Sequence, residues 1–132
     1  MAHEPFRPAG DPARWSVEAA LSGGRRGTAV HEAVLAALRE LGPVEVHPTR
    51  TQVAYRRRRA FAWLWCPGRW LRHPAADVVL SVSLGREDPS ARWKEVVRTT
   101  RLHWVHHLQV SGPEDVDAQV RAWLREAYER AG

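Results

Sequence analysis

Glu95 is the residue around which a chemistry for this chain can first be argued. It lies in Arg92-Trp93-Lys94-Glu95-Val96-Val97-Arg98, a stretch that mixes one aromatic ring, three cations and one carboxylate. Such a carboxylate can take a proton as a general base when an imidazole stands nearby, and His103 and His107 follow closely in the chain. A small hydrolase would need more. No second carboxylate at fixed spacing, nucleophile elbow, glycine-rich phosphate loop or Cys-His pairing accompanies the segment. Seven histidines also raise the question of a metal ion. On an extended strand His106 and His107 point to opposite faces, while His103 and His107 share a face at roughly 13 Å, given ~3.3 Å per residue. Neither pair can ligate one ion, so the spacing predicts neither a metal site nor a cofactor. His106 has a different demand. Its face otherwise carries Leu102, Trp104, Leu108 and Val110, so its imidazole needs a hydrogen-bond partner in the core.

The second chemistry the residues allow is recognition of negative charge. Between Arg50 and Arg72 stand seven arginines and no acid, four of them consecutive at Arg56 to Arg59. Guanidinium forks suit phosphate and carboxylate. The same run at a hairpin tip also keeps a sheet edge soluble and discourages strand-to-strand association. Trp63, Trp65 and Trp70 lie beside it, and aromatic rings among arginines can stack the bases of a single strand at ~1–3 kcal/mol each. Burial competes for those rings, since each removes about 150–250 Å² from water. Trp104 and Trp123 fall on core faces. The residues that best combine charge with flat contact are Tyr55, Arg57, Trp93, Lys94, Arg98 and His107.

Elements must position these groups, and the hydrophobic periods define them. A chain of 132 residues with net charge +5 fits one domain, numbered 1–132, with a proline-rich lead-in over residues 1–13. Ser16 can cap a short first helix. Thr28 is the expected cap of a second, in which Val30, Val34, Leu35, Leu38 and Leu41 share a face before Gly42-Pro43 ends it. The period then becomes two. Strands are expected around Val44 to His47, Gln52 to Arg56, Ala60 to Cys66, Val78 to Leu84 and Leu102 to Val110. In the third, Phe61, Trp63 and Trp65 form one face; in the fourth, Ser81 and Ser83 lie opposite Val78, Leu80, Val82 and Leu84. Ser111-Gly112-Pro113-Glu114 has capping-box spacing for a C-terminal helix. The pattern predicts an α+β domain: N-terminal helices, an antiparallel four- to five-stranded meander, and a C-terminal helix packed on one face of the sheet.

Several stretches together resemble a known family. Val44-Glu45-Val46 before Thr49-Arg50-Thr51, YRRRRAFAWLW, DPSARWKEVV from Asp88 to Val97, HHL at His106 to Leu108, and the ending WLREAYERAG are similar to the bacterial family called domain of unknown function 5655. The resemblance covers nearly everything after Trp15. It implies a stand-alone or appended small domain, and it carries no catalytic residues to transfer. The lone Cys66 and the absence of an apolar leader or span predict a cytoplasmic protein with no membrane contact. The expected function is non-enzymatic binding of an anionic ligand or nucleic acid. A hydrolase using Glu95 with a histidine, and a protein-interaction domain, are the alternatives.

Overall fold

In a computed structural model, residues 15–22, 26–67 and 78–132 are described. The expected lead-in, Trp70 and the loop arginines Arg69 and Arg72 lie outside them. Among the described residues three α-helices, α1 (Val17–Ala20), α2 (Gly27–Arg39) and α3 (Ala118–Arg130), accompany six strands: β1 (Glu45–Pro48), β2 (Gln52–Arg56), β3 (Ala60–Trp65), β4 (Val78–Leu84), β5 (Glu95–Thr100) and β6 (His103–Val110). The strands form one antiparallel sheet in the order β1-β2-β3-β4-β6-β5.

The α+β class and the helix-covered sheet are as the periodicity predicts, with one strand more. β5 falls in the segment expected to be a connection. It is an edge strand with exposed side chains along nearly its whole length, so it carries no burial alternation to read. Because β5 returns as a hairpin into β6, Leu102 lies in the turn rather than the core and is 62% exposed.

All three helices pack on one side, with α3 across β3 and β4, α2 beside α3, and α1 over β2. Val53, Tyr55, Leu64, Leu80, Val82, Leu84, Leu108 and Val110 face them and meet Val30, Val34 and Leu38 of α2 and Val120, Trp123 and Leu124 of α3. Burying each leucine or valine contributes about 1.5–3 kcal/mol. Phe61 joins this core instead of sharing a face with Trp63. A register shift opposite Tyr55 and Arg56 makes it the extra residue of a bulge, and its ring meets that of Tyr128 edge-on at 5.8 Å. Gly27 lets α2 approach α1, since a Cβ there would stand 2.9 Å from that of Leu21. Gly42 ends the helix region at φ +149° with the Tyr128 hydroxyl against it.

Two caps differ from expectation. Arg26, not Thr28, is the residue before α2, and its guanidinium holds both Glu114 oxygens at 3.2 and 3.1 Å. That contact removes Glu114 from the expected capping box, and Pro113–Asp115 forms a single 3-10 turn. α3 starts later, where Asp117 Oδ1 accepts the Val120 N–H at 3.1 Å. No described helix is long and apolar enough to cross a membrane.

Candidate ligand-binding site

Side chains that point away from the helices form a second surface, and strand register sets its rows. Trp65, Val79 and Gln109 are aligned across β3, β4 and β6; in the next row Trp63, Ser81, His107 and Glu95 run across β3, β4, β6 and β5. Lys94 stands just before β5, and its backbone N–H extends the ladder by donating to the His107 carbonyl at 2.7 Å. A cavity of about 240 Å³ opens between the rows, lined by Trp65, Pro67, Val79, Lys94, Glu95, His107 and Gln109. A shallower hollow of about 330 Å³ adjoins it over Gln52, Trp63, Ser81 and Val105 and shares Trp65 and His107 with it.

A polar chain runs beneath the cavity. The Trp65 indole N–H donates to Ser81 Oγ at 2.9 Å, and that oxygen lies 2.7 Å from His107 Nδ1. The indole nitrogen can only donate, and the buried Ser81 hydroxyl still has one hydrogen to give, for which Nδ1 is the one acceptor in reach among the described residues. We therefore assign the His107 ring proton to Nε2. Burial holds this imidazole below its usual range, against the nearby Glu95 carboxylate, which works the other way. At neutral pH the ring is uncharged and presents a donor.

A family model described as Domain of unknown function (DUF5655) matches residues 18–131, which takes in every described strand, α2, α3 and all but the first residue of α1. The chain belongs to the DUF5655 family. No curated protein and no solved structure matches it.

Within this DUF5655 domain, only two of the six residues singled out from sequence, Lys94 and His107, meet in the cavity. Tyr55 is fully buried on the helix side, where its hydroxyl and His31 Nδ1 share a hydrogen bond of 2.8 Å. Trp93 is 8% exposed. Its ring packs 4.1 Å from that of Trp123, and its N–H donates to Asp88 Oδ2 at 2.9 Å. Arg98 lies over the Trp104 ring at 4.6 Å and donates to the Arg101 carbonyl, near the other end of β5.

Arg57 belongs to the hairpin between β2 and β3, at the opposite end of β3 from Trp65. Its guanidinium stacks on Tyr128 at 4.2 Å and donates to the Tyr128 carbonyl at 3.1 Å. Arg59 donates to the Arg130 carbonyl at 3.0 Å, and the Arg58 N–H to the Ala131 carbonyl at 2.9 Å. The arginine run thus supplies hydrogen bonds to carbonyls of the last turn of α3 and just beyond it, where cations also complement the helix dipole.

Trp65, Ser81, Val79 and Gln109 complete the site, and sequence reasoning left them out of it. Their signal was the polar alternation of Ser81 in an otherwise apolar strand; what it lacked was the neighbour across the sheet. Glu95, argued from sequence as a base, does share the cavity with His107 as its cross-strand partner. Among the described residues the nitrogen partner of that histidine is Ser81 rather than Glu95. Ser81 itself is 3% exposed and lies on a strand paired on both sides, so its backbone is committed to the ladder. It orients the imidazole and is poorly placed to attack a substrate. No group of three or more His, Cys, Asp or Glu side chains among the described residues could hold a metal ion.

Proposed function

We propose that this domain is a non-enzymatic binding module for a small anionic compound with a flat body, seated between Trp65 and His107. The observation that carries this reading is the cavity's division into two sides. Trp65, Pro67 and Val79 supply an apolar wall from β3, its end and β4, while Lys94, His107 and Gln109, each with a side-chain donor, line the cavity from β6 and the start of β5. An ammonium and an imidazole N–H suit a carboxylate or similar anion, and the indole suits a ring. At about 240 Å³ the space favours ligands below drug size. A nucleic-acid strand is less well served, because Arg57 and Arg59 are engaged with α3 at the far end of β3.

Isothermal titration with benzoate, a single-stranded oligonucleotide and heparin tests the reading. Benzoate is expected to bind, with affinity falling at least tenfold in Lys94→Ala and in Trp65→Ala. Salt-dependent oligonucleotide binding that is lost in Arg57→Ala and Arg58→Ala but unchanged in Lys94→Ala would replace it with a nucleic-acid function.

A further inference from the structure

Lys94 and Glu95 are sequence neighbours of opposite charge, and both line the cavity. They do not pair with each other, and among the described residues neither side chain has a hydrogen-bond or ion-pair partner. Acids elsewhere that serve the fold are held by partners. Asp88 accepts from Arg86, Trp93 and Ser90, Asp117 from Arg92 and Val120, and Glu126 from Arg86. Two unpaired opposite charges lining one cavity set a condition on any occupant. A purely anionic edge would satisfy Lys94 but stand against Glu95, stripping water from that carboxylate without returning a donor.

Building on the proposed binding reading, we infer that the ligand is dipolar along its polar edge: a flat ring bearing a carboxylate next to an N–H donor. The carboxylate meets the Lys94 ammonium and the His107 Nε2–H, the N–H meets Glu95, and the ring lies on the Trp65 side. Gln109, whose amide both donates and accepts, serves either half. The assignment follows from the donors present: two at Lys94 and His107, one acceptor at Glu95, all on one side of an apolar wall. It narrows the ligand class to amino-substituted aromatic or heteroaromatic acids, and Glu95 becomes the specificity determinant.

The test compares benzoate with 2-aminobenzoate, the same ring and acid with an adjacent amine, in the full chain and in Glu95→Ala. Glu95 is exposed on an edge strand, so the variant is expected to fold, and thermal unfolding checks that it does. The wild-type chain should prefer 2-aminobenzoate by at least tenfold. Glu95→Ala should abolish the preference while binding benzoate more tightly than wild type does. Benzoate bound as well as 2-aminobenzoate by the wild type, or a preference that survives Glu95→Ala, overturns the inference and leaves the cavity reading standing. Binding of neither probe overturns both.

Discussion

His106 and His107 are adjacent in the chain and have opposite fates, because consecutive residues of a strand face opposite sides of the sheet. His106 is fully buried under the helices, its ring tilted against that of Trp93 with centroids 4.8 Å apart. Its Nε2 accepts the Asp88 N–H at 2.9 Å, which forces the ring proton onto Nδ1, and that nitrogen faces the Trp104 carbonyl at 3.1 Å. Both nitrogens are spent on the fold. His107 spends one nitrogen on Ser81, and the other has no hydrogen-bond partner among the described residues, on a ring that lines the cavity. The difference teaches that a histidine's role here is set by how many of its two nitrogens the chain itself satisfies, rather than by its burial alone. Asp88 fits the same contrast. Burial works to raise its carboxyl, but hydrogen bonds from Trp93, Ser90 and Arg86 outweigh it and hold the group below the usual range.

Substitution separates the two most sharply. His106→Ala should lower unfolding free energy by about 3 kcal/mol or more in urea titrations, since it leaves a void and strands the Asp88 N–H. His107→Ala should cost under about 1 kcal/mol by the same measure, as expected at a partly exposed position, yet remove most ligand affinity. Equal stability losses would erase the distinction. Arg57→Ala should lower stability by about 1 kcal/mol through its lost stacking on Tyr128 and its lost carbonyl bond, without changing ligand affinity.

Acid sharpens the comparison more gently. Burial is the largest cause holding His31, His106 and His107 below the ordinary imidazole range. The unfolded chain takes up protons near pH 6.5, which the folded imidazoles resist, so their contribution is complete above that pH and is lost as pH falls through it. Melting temperature should therefore decline from pH 7.5 to 5.5. Removing His106 should flatten that decline more than removing exposed His47, and a slope that no histidine substitution alters would contradict the account.

The legibility of this chain follows the same division between faces. α2, β2, β3, β4, β6 and the core face of α3 were legible because burial on one side imposes a period. β5 escaped because an edge strand with only Val96 partly buried imposes none, although four of its six residues, Val96, Val97, Thr99 and Thr100, are β-branched. The start of α3 was misplaced because Glu114 answers to Arg26 from a distant segment, and Phe61 because a bulge changes parity. At the site, Lys94, Glu95 and His107 stood out by type. Trp65 and Ser81 depend on registry between β3, β4 and β6, which is a relation between segments that no single segment carries. The arginine run illustrates the converse. Its charge was conspicuous in sequence, while the helix end it serves lies some seventy residues away, as the Arg57 to Tyr128 and Arg59 to Arg130 bonds show.

The most direct measurement is the pair of imidazole spectra recorded by nitrogen-15 NMR while 2-aminobenzoate is added. Nε2 of His107 should shift as the cavity fills, and His106 should keep its Nδ1–H form unchanged. Saturable binding that moves the arginine hairpin or His106 while leaving His107 still would contradict the placement of the site on the uncovered face.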